Sequence, residues 1–234
     1  MSVLVLLLAG PLQSWGSSAR FARRTTGQAP SKSGVLGLLA AAQGRDRTAD
    51  PSDLAQLRFG VRVDQRGTRI RDYQTAHRPD TGEAMPVSER FYLADAVFVA
   101  GAEGDDDLIG ELDRALREPA YLPYLGRRSC PPSRPVALGL RRETTLEAVL
   151  RREEWHAAEW YQRRHRNEPE VTLDCFLDAA EGDREVDSVR DLPLSFDPSH
   201  RRYALRGVTR RGVAVPNPKA DPPDHDPMSA LEGD

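Results

Sequence analysis

The chain has 234 residues, of which 39% are hydrophobic and 29% are charged, and its formal net charge is −3. This composition excludes an intrinsically disordered chain, and the length allows either one large domain or two small ones with a buried core. The nearly balanced charge does not by itself indicate nucleic-acid binding.

The basic residues are almost all arginines. Of 33 basic residues only Lys32 and Lys219 are lysines, whereas the segment from Asp221 onward contains five acidic residues and no base. An arginine bias arises from genomic base composition or from a need for planar, bidentate phosphate contacts. The sequence leaves both explanations open.

The two cysteines and the apolar start indicate the cellular compartment. Cys130 and Cys175 are far apart and outside any metal-binding spacing, so we expect no disulfide, no metal and no cofactor, in a reducing cytoplasm. The apolar run from Val3 to Ala9 lacks the basic start of a signal peptide and ends at Gly10-Pro11, which predicts a buried strand. No run is long enough to span a membrane, so we expect no membrane partner.

A basic loop and a small-residue helix follow this strand. Residues 12–32 are rich in Gly, Ser, Thr and Arg, and the spacing of apolar residues predicts a helix from about Ser33 to Gln43. The first 44 residues contain Arg20, Arg23, Arg24 and Lys32 but no acidic residue. Because a helix N-terminus offers free N–H groups and a positive dipole, we predict an anion-binding site there.

The next elements predict a ferredoxin-like order. Strands are expected at 57–63 and 68–73, joined as a hairpin through Gln65-Arg66-Gly67, and at 91–100, with a projecting arm at 74–89. Asp105 precedes an amphipathic helix ended by Pro119, a Pro-rich loop covers 121–135, and a strand covers 136–140. The order β-α-β-β-α-β predicts an α+β, ferredoxin-like (RRM-like) domain over residues 1–140.

The second half predicts a smaller β-rich unit over residues 141–215. A short helix is expected at 146–151, with strands near 171–177, 184–189 and 203–209, and residues 216–234 are expected to form an acidic, disordered tail. The stretch 151–166 contains Trp155, Trp160 and Tyr161 among arginines. It is either a further nucleic-acid surface or a charged linker with packing aromatics.

Lys32-Ser33 at the start of the predicted helix invites comparison with a nucleotide-binding P-loop. That motif needs glycines directly before the lysine and five residues earlier, where this chain has Ser31 and Thr26. Nucleotide hydrolysis is therefore not indicated. An ordinary helix start remains the structural alternative to an anion site.

Two further groups of residues, and one tryptophan, have the chemistry of RNA binding. Arg127 and Arg128 are adjacent in the Pro-rich loop, and Arg69, Arg71, Tyr73, His77 and Arg78 combine cations with an aromatic ring at the base of the arm. Trp15 either stacks a base or is buried. The five histidines have no recognisable catalytic partner, so nothing in the sequence requires an enzyme.

Four motifs in order resemble the CasD family, a RAMP-superfamily subunit of type I-E CRISPR Cascade complexes. They are Leu8-Ala-Gly-Pro-Leu-Gln-Ser-Trp-Gly16, Pro30-Ser-Lys-Ser-Gly-Val-Leu-Gly-Leu-Leu39, Arg71-Asp-Tyr-Gln-Thr75 and Tyr124-Leu-Gly-Arg-Arg-Ser-Cys-Pro131. The resemblance covers most of residues 1–140 and is weak beyond them, mainly at 201–218. It implies a β-hairpin thumb at about 73–91.

The resemblance also implies a function in antiviral defence. It predicts a non-catalytic subunit that caps the 5′ handle of the CRISPR RNA (crRNA), contacts the backbone subunit CasC and the large subunit CasA, and meets target DNA only through the complex. The predicted RNA-binding residues are Gln13, Trp15, Arg20, Arg23, Arg24, Lys32, Ser33, Gly34, Arg71, Tyr73, Arg127, Arg128, Ser129 and Cys130.

Two alternatives remain at this point. A related branch of the family cuts precursor RNA with a Tyr, Lys and His set, so a metal-independent endoribonuclease using His77 or Tyr73 is the alternative enzyme. This chain has no lysine beside a histidine, which favours the binding subunit. A free-standing RNA-recognition protein is the other alternative.

Overall fold

A seven-stranded sheet and a smaller four-stranded sheet form the fold of the computed structural model, which describes residues 1–16 and 23–221. The strands are β1 (Ser2–Ala9), β2 (Leu12–Gln13), β3 (Arg23–Arg24), β4 (Arg58–Gln65), β5 (Thr68–Gln74), β6 (Ser88–Ala94), β7 (Val97–Gly104), β8 (Ala137–Arg142), β9 (Glu170–Asp178), β10 (Asp187–Ser195) and β11 (Arg202–Pro216). The helices are α1 (Lys32–Ala42), α2 (Ser52–Ala55), α3 (Asp106–Arg117), α4 (Leu146–Arg152) and α5 (Glu159–Arg164).

The large sheet has the strand order β10-β11-β9-β4-β7-β1-β8, and all its neighbours are antiparallel. Every residue of β1 is buried, as its continuous apolar sequence predicts for a strand covered on both faces. Leu4, Leu6 and Leu8 pack in the core that includes α1 and α3, whereas Val3 and Val5 pack in the core that includes α4. This is a mixed α/β architecture with mostly antiparallel sheets.

The small sheet is built around β6. β5 pairs along one side of β6, while β2 and β3 pair with its opposite side. The predicted hairpin between 57–63 and 68–73 is therefore wrong, because β4 pairs with β7 and β9 in the large sheet. The predicted strand 91–100 is two strands, β6 and β7, which are separated at Asp95 with a left-handed φ of 56°.

The connection between β5 and β6 continues as an exposed hairpin-like segment. His77 and Ala84 form an isolated antiparallel bridge, and the N–H of Met85 donates to the carbonyl of Ala76 at 2.7 Å. Residues 76–87 are exposed. The expected arm at 74–89 thus has its own backbone hydrogen bonds.

The strands after residue 141 extend the large sheet. β9 pairs with β4, and the long strand β11 pairs with both β9 and β10. Asn217, in the expected tail, is buried and its Nδ2 donates to the carbonyls of Gln162 and His165, so residues 216–221 lie against α5. Residues 222–234 lie outside the described part of the chain. Trp155 is buried beside α5, a helix that the sequence did not predict, and packing aromatics were one of the two alternatives for residues 151–166.

No helix within residues 1–16 and 23–221 has the length and apolar character to cross a bilayer.

Candidate nucleic-acid interface

The N-terminus of α1 is occupied by a carboxylate of the chain itself. The backbone N–H of Lys32 donates to Oδ2 of Asp191 at 2.7 Å, and Ser31 Oγ caps the helix by accepting from the N–H of Gly34 at 3.2 Å. Lys32 is 4% exposed, and its Nζ lies 2.9 Å from Oδ2 of Asp178. The sequence predicts that the Lys32 ammonium group and backbone N–H bind an external phosphate. In the structure both bind carboxylates of the chain itself.

Arg206 completes a buried network of two cations and two carboxylates at this helix end. Its Nη1 lies 2.5 Å from Asp178 Oδ1, and its Nε lies 2.6 Å from Asp191 Oδ1. Burial opposes the charged guanidinium, but the hydrogen bonds and charges of Asp191 and Asp178 outweigh burial and raise the pKa of Arg206. The network holds β9, β10 and β11 against the start of α1.

Gln13 and Trp15 have structural contacts. Gln13 is fully buried, donates through Nε2 to the carbonyls of Leu8 and Ala96, and accepts from Trp15 Nε1 at 2.9 Å. Trp15 is 2% exposed, and a Cβ at Gly34 would lie 2.9 Å from its ring. The ring is thus part of the core, which is one of the two alternatives that the sequence left open.

The loop over 121–135 places its two adjacent arginines differently. Arg127 lies over the Tyr92 ring, with Cζ 4.7 Å from the centroid, and its Nη2 donates to the carbonyl of Arg24 at 2.9 Å. Its buried Nη1 has no hydrogen-bond partner among the described residues. Arg128 is exposed. One arginine therefore packs against the small sheet, and the other faces solvent.

Gly126 allows this loop to approach residue 14. Its φ is 83°, and a Cβ there would lie 1.8 Å from the Ser14 carbonyl oxygen, so only glycine fits. Ser129 is exposed, whereas Cys130 is buried, and burial raises the pKa of its thiol. Cys130 therefore supports the loop from inside.

A groove of about 950 Å³ lies between α1 and this loop. Ser33 and Gly34 line one side, and Gly126 and Arg128 line the other, so the structure brings two of the predicted groups together. Sequence reasoning missed several residues of the same groove, which are Arg45, Arg47, Tyr121, Tyr124, Phe196, Arg201 and Tyr203. Their tyrosines and arginines are residue types that bind RNA, which was the signal available in the sequence. The residues come from three distant segments, so no local pattern in the sequence groups them.

Arg71 and Tyr73 lie on a separate surface, on β5. The Arg71 Cζ lies 4.9 Å from the centroid of the Tyr73 ring, and Tyr73 is 55% exposed. Arg69, which the sequence grouped with them, lies over the Phe91 ring at 4.5 Å. This cation and aromatic surface does not line the groove.

The remaining predicted residues are Arg20, Arg23 and Arg24. Arg20 lies outside the described residues. Arg23 and Arg24 form β3, whose backbone pairs in parallel with Glu89 and Arg90 of β6. Through its carbonyl, Arg24 accepts the hydrogen bond from Arg127, so β3 and the loop are joined.

The described residues offer no metal centre, because no three His, Cys, Asp or Glu side chains within residues 1–16 and 23–221 are grouped to hold an ion. His77 is exposed on the arm, and its Nδ1 lies 3.1 Å from the Gly82 carbonyl oxygen.

Comparisons with known proteins agree with this architecture. The family described as "CRISPR-associated protein (Cas_Cas5)" matches residues 3–209. The CRISPR system Cascade subunit CasD of Escherichia coli (strain K12) is 38% identical over 158 residues, which are 59% of this chain and 70% of that protein.

Two solved structures are similar over nearly the whole chain. One, described as "Crystal structure of Cas protein", has 38% identity and a TM-score of 0.70 and covers 93% of this chain and 97% of its own. A chain of a "CRISPR RNA-guided surveillance complex" has 31% identity and a TM-score of 0.75, and it covers 98% of this chain and 97% of its own. The resemblance found in the sequence motifs is confirmed, and the chain belongs to the Cas5 family of CRISPR-associated proteins.

Proposed function

We propose that this chain is a subunit of a type I-E Cascade surveillance complex that binds the 5′ handle of the crRNA. The groove carries the proposal, because it places the α1 residues Ser33 and Gly34 opposite Arg128. Arginine and backbone groups on a groove wall suit an RNA backbone, while base edges and shape give specificity. The similarity to CasD of Escherichia coli and to a surveillance-complex chain supports the assignment.

We also propose that the first part of this chain is a ferredoxin-like domain with a β-hairpin thumb. The order β4-β7-β1-β8, with α1 after β1 and α3 after β7, is the order of a ferredoxin-like motif. The hairpin of β5 and β6 with its exposed connection is the candidate thumb, and Arg71 and Tyr73 lie at its base. We assign to it the contact with the adjacent backbone subunit, CasC in this complex type, and the large subunit CasA as a further neighbour.

In this proposal the groove binds RNA without cutting it. Gln13, Trp15 and Cys130 shape the groove from the core, Lys32 fixes the start of α1, and Arg128 supplies charge. Neither a cofactor nor a metal takes part, and processing of precursor RNA is left to another subunit. The complex acts in the cytoplasm and meets target DNA through the guide RNA.

Co-expression with the other Cascade subunits tests the assignment. The purified complex should contain this chain and crRNA with a defined 5′ handle, and R127A/R128A should lower the RNA content. Normal RNA content in that variant, or failure of the chain to co-purify with other subunits, would contradict the proposal. Cleavage of repeat RNA by the isolated chain, abolished by H77A, would instead establish the endoribonuclease.

A further inference from the structure

The turn between β10 and β11 forms the far wall of the groove. Phe196 and Tyr203 line it, and a Cβ at Gly37 would lie 3.8 Å from the Phe196 ring, so this turn faces the outer side of α1. Small residues of α1, such as Gly37 and Ala41, form the floor between the two walls. The groove is therefore made jointly by α1, the loop over 121–135 and the β10–β11 turn, which come from the first, middle and last thirds of the chain.

The charges of the groove select an anionic ligand. Four arginines but one carboxylate, that of Asp46, line it. Arg45 is already paired with Asp53 at 2.6 Å. Arg47 and Arg201 are exposed and make no ion pair with any residue in the described ranges. These two guanidinium groups are thus available for phosphates.

Aromatic rings accompany these charges. Tyr121 is 58% exposed, and Tyr124 and Tyr203 are half-buried on the same groove. Proteins bind single-stranded nucleic acid with aromatic rings beside a positively charged groove, because every base has a face that can stack on such a ring. A protein ligand would need carboxylates to pair with these arginines. RNA supplies both phosphates that pair with the arginines and bases that stack on the tyrosine rings.

We propose that the β10–β11 turn is part of the RNA site, where Tyr203 and Tyr121 stack bases of a single strand and Arg201 and Arg47 hold its phosphates. This inference rests on the proposed function and extends the same groove beyond the residues that the sequence motifs indicate. The network of Arg206, Asp191 and Lys32 holds the turn in place before RNA arrives. The C-terminal strands therefore have a direct binding role.

Titration of the full chain with a fluorescent single-stranded RNA of the repeat sequence tests this proposal. Y203A should weaken binding about 5- to 160-fold, the range for loss of one stacked base, whereas Y203F should bind nearly as well as wild type. R201A should weaken binding and lower the log–log salt slope by about 0.7, the value for one phosphate contact of a single strand. R202A removes the same charge from a neighbouring exposed position outside the groove and should have little effect.

A variant that adds a side chain tests the groove without removing a contact. G37L should fill the space between α1 and Phe196 and weaken RNA binding, while its helix stays intact because leucine is a strong helix former. This variant decides the matter if Y203A proves unstable. Unchanged affinity in G37L and R201A would overturn the inference.

The outcomes also separate this inference from the proposed function. One outcome is that R128A weakens RNA binding, while R201A, Y203A and G37L bind RNA as tightly as wild type. In that case the turn is outside the site, and the proposed function stands. If R201A keeps full RNA affinity but loses another Cascade subunit on purification, the turn binds protein and the inference is wrong. If the wild-type chain and its complex bind no RNA, the proposed function itself fails.

Discussion

The backbone N–H of Lys32 donates to Oδ2 of Asp191 at 2.7 Å, which joins the first helix to a strand 159 residues later in the chain. A helix N-terminus attracts anions, and here the anion is an internal carboxylate. Asp191 is 1% exposed and also accepts two hydrogen bonds from Arg206. This contact stabilises the chain and fixes the position of β10 relative to α1, which forms the floor of the groove.

Replacing Asp191 by Asn should therefore destabilise the protein strongly. The substitution leaves the buried charge of Arg206 with one carboxylate, and breaking such a pair typically costs about 3–5 kcal/mol. Denaturant unfolding followed by circular dichroism measures the loss. D187N on the same strand is the matched control, because Asp187 is exposed, and it should change stability by less than about 0.5 kcal/mol. Equal effects of the two substitutions would contradict this account of the network.

Arg127 and Arg128 should give separable effects when each is replaced by Ala. R128A should weaken RNA binding and lower its salt slope without changing the unfolding free energy, because Arg128 is exposed on the groove. R127A should also destabilise the chain by about 1 kcal/mol, since it loses a ring contact with Tyr92 and a hydrogen bond to Arg24. RNA titration combined with urea unfolding of both variants measures the difference. Identical stability of the two variants would show that the packing of Arg127 has no energetic weight.

Local sequence was sufficient where one segment determines its own structure. The apolar run at residues 3–9 predicted the buried β1, and the Asp105 cap with its amphipathic spacing predicted α3. Pairing was less accessible, because the partner of a strand is set by tertiary contacts. A turn signal at 65–67 favoured a hairpin of β4 and β5, yet the burial of β4 places it between β7 and β9.

The candidate site was predicted in part for the same reason. Ser33, Gly34 and Arg128 belong to motifs that are contiguous in sequence, so the sequence alone could mark them as candidates, and all three line the groove. The role of Lys32 depends on Asp178, 146 residues away, which no local pattern indicates. Tyr203 and Arg201 line the groove only because the fold packs β10, which leads into their turn, against α1.

Two glycines of α1 should respond oppositely to alanine. G37A should raise stability by about 0.5–1 kcal/mol, because its Cβ would meet only the Phe196 ring at an ordinary distance of 3.8 Å and alanine favours the helix. G34A should lower stability by about 1–3 kcal/mol, because its Cβ would lie 2.9 Å from both the buried Trp15 ring and Ser31 Oγ. Thermal unfolding of both variants decides the matter. A stabilised G34A would show that Trp15 moves freely.

The two thiols should be unreactive in the folded chain. Burial raises the pKa of Cys175 to about 12 and also raises that of Cys130, so the reactive thiolate is scarce at pH 8. Iodoacetamide should label both residues quickly in denaturant and slowly under native conditions, as measured by peptide mass spectrometry. C175S isolates Cys130, which then reports opening of the loop that carries Arg128. Rapid native labelling of Cys130 would mean that this wall of the groove is open in solution.

Glu153 should make stability depend on pH. Its hydrogen bond with His156 and the charge of Arg141 outweigh burial and lower its pKa below the ordinary value of 4.5. A carboxyl group whose pKa is lowered by folding stabilises the chain above its unfolded pKa and loses that contribution as the pH falls through the folded value. E153Q should therefore be less stable than wild type at pH 7, by about 1.5 kcal/mol, the scale of a hydrogen bond to a charged group. The difference should shrink as the pH falls below 4.5, and urea unfolding of both proteins at pH 7, 5 and 3.5 measures it.

E154Q is the control, because the Glu154 side chain is 80% exposed, and it should show no such trend. A gap between wild type and E153Q that stays constant over this range would assign the effect to packing instead of charge.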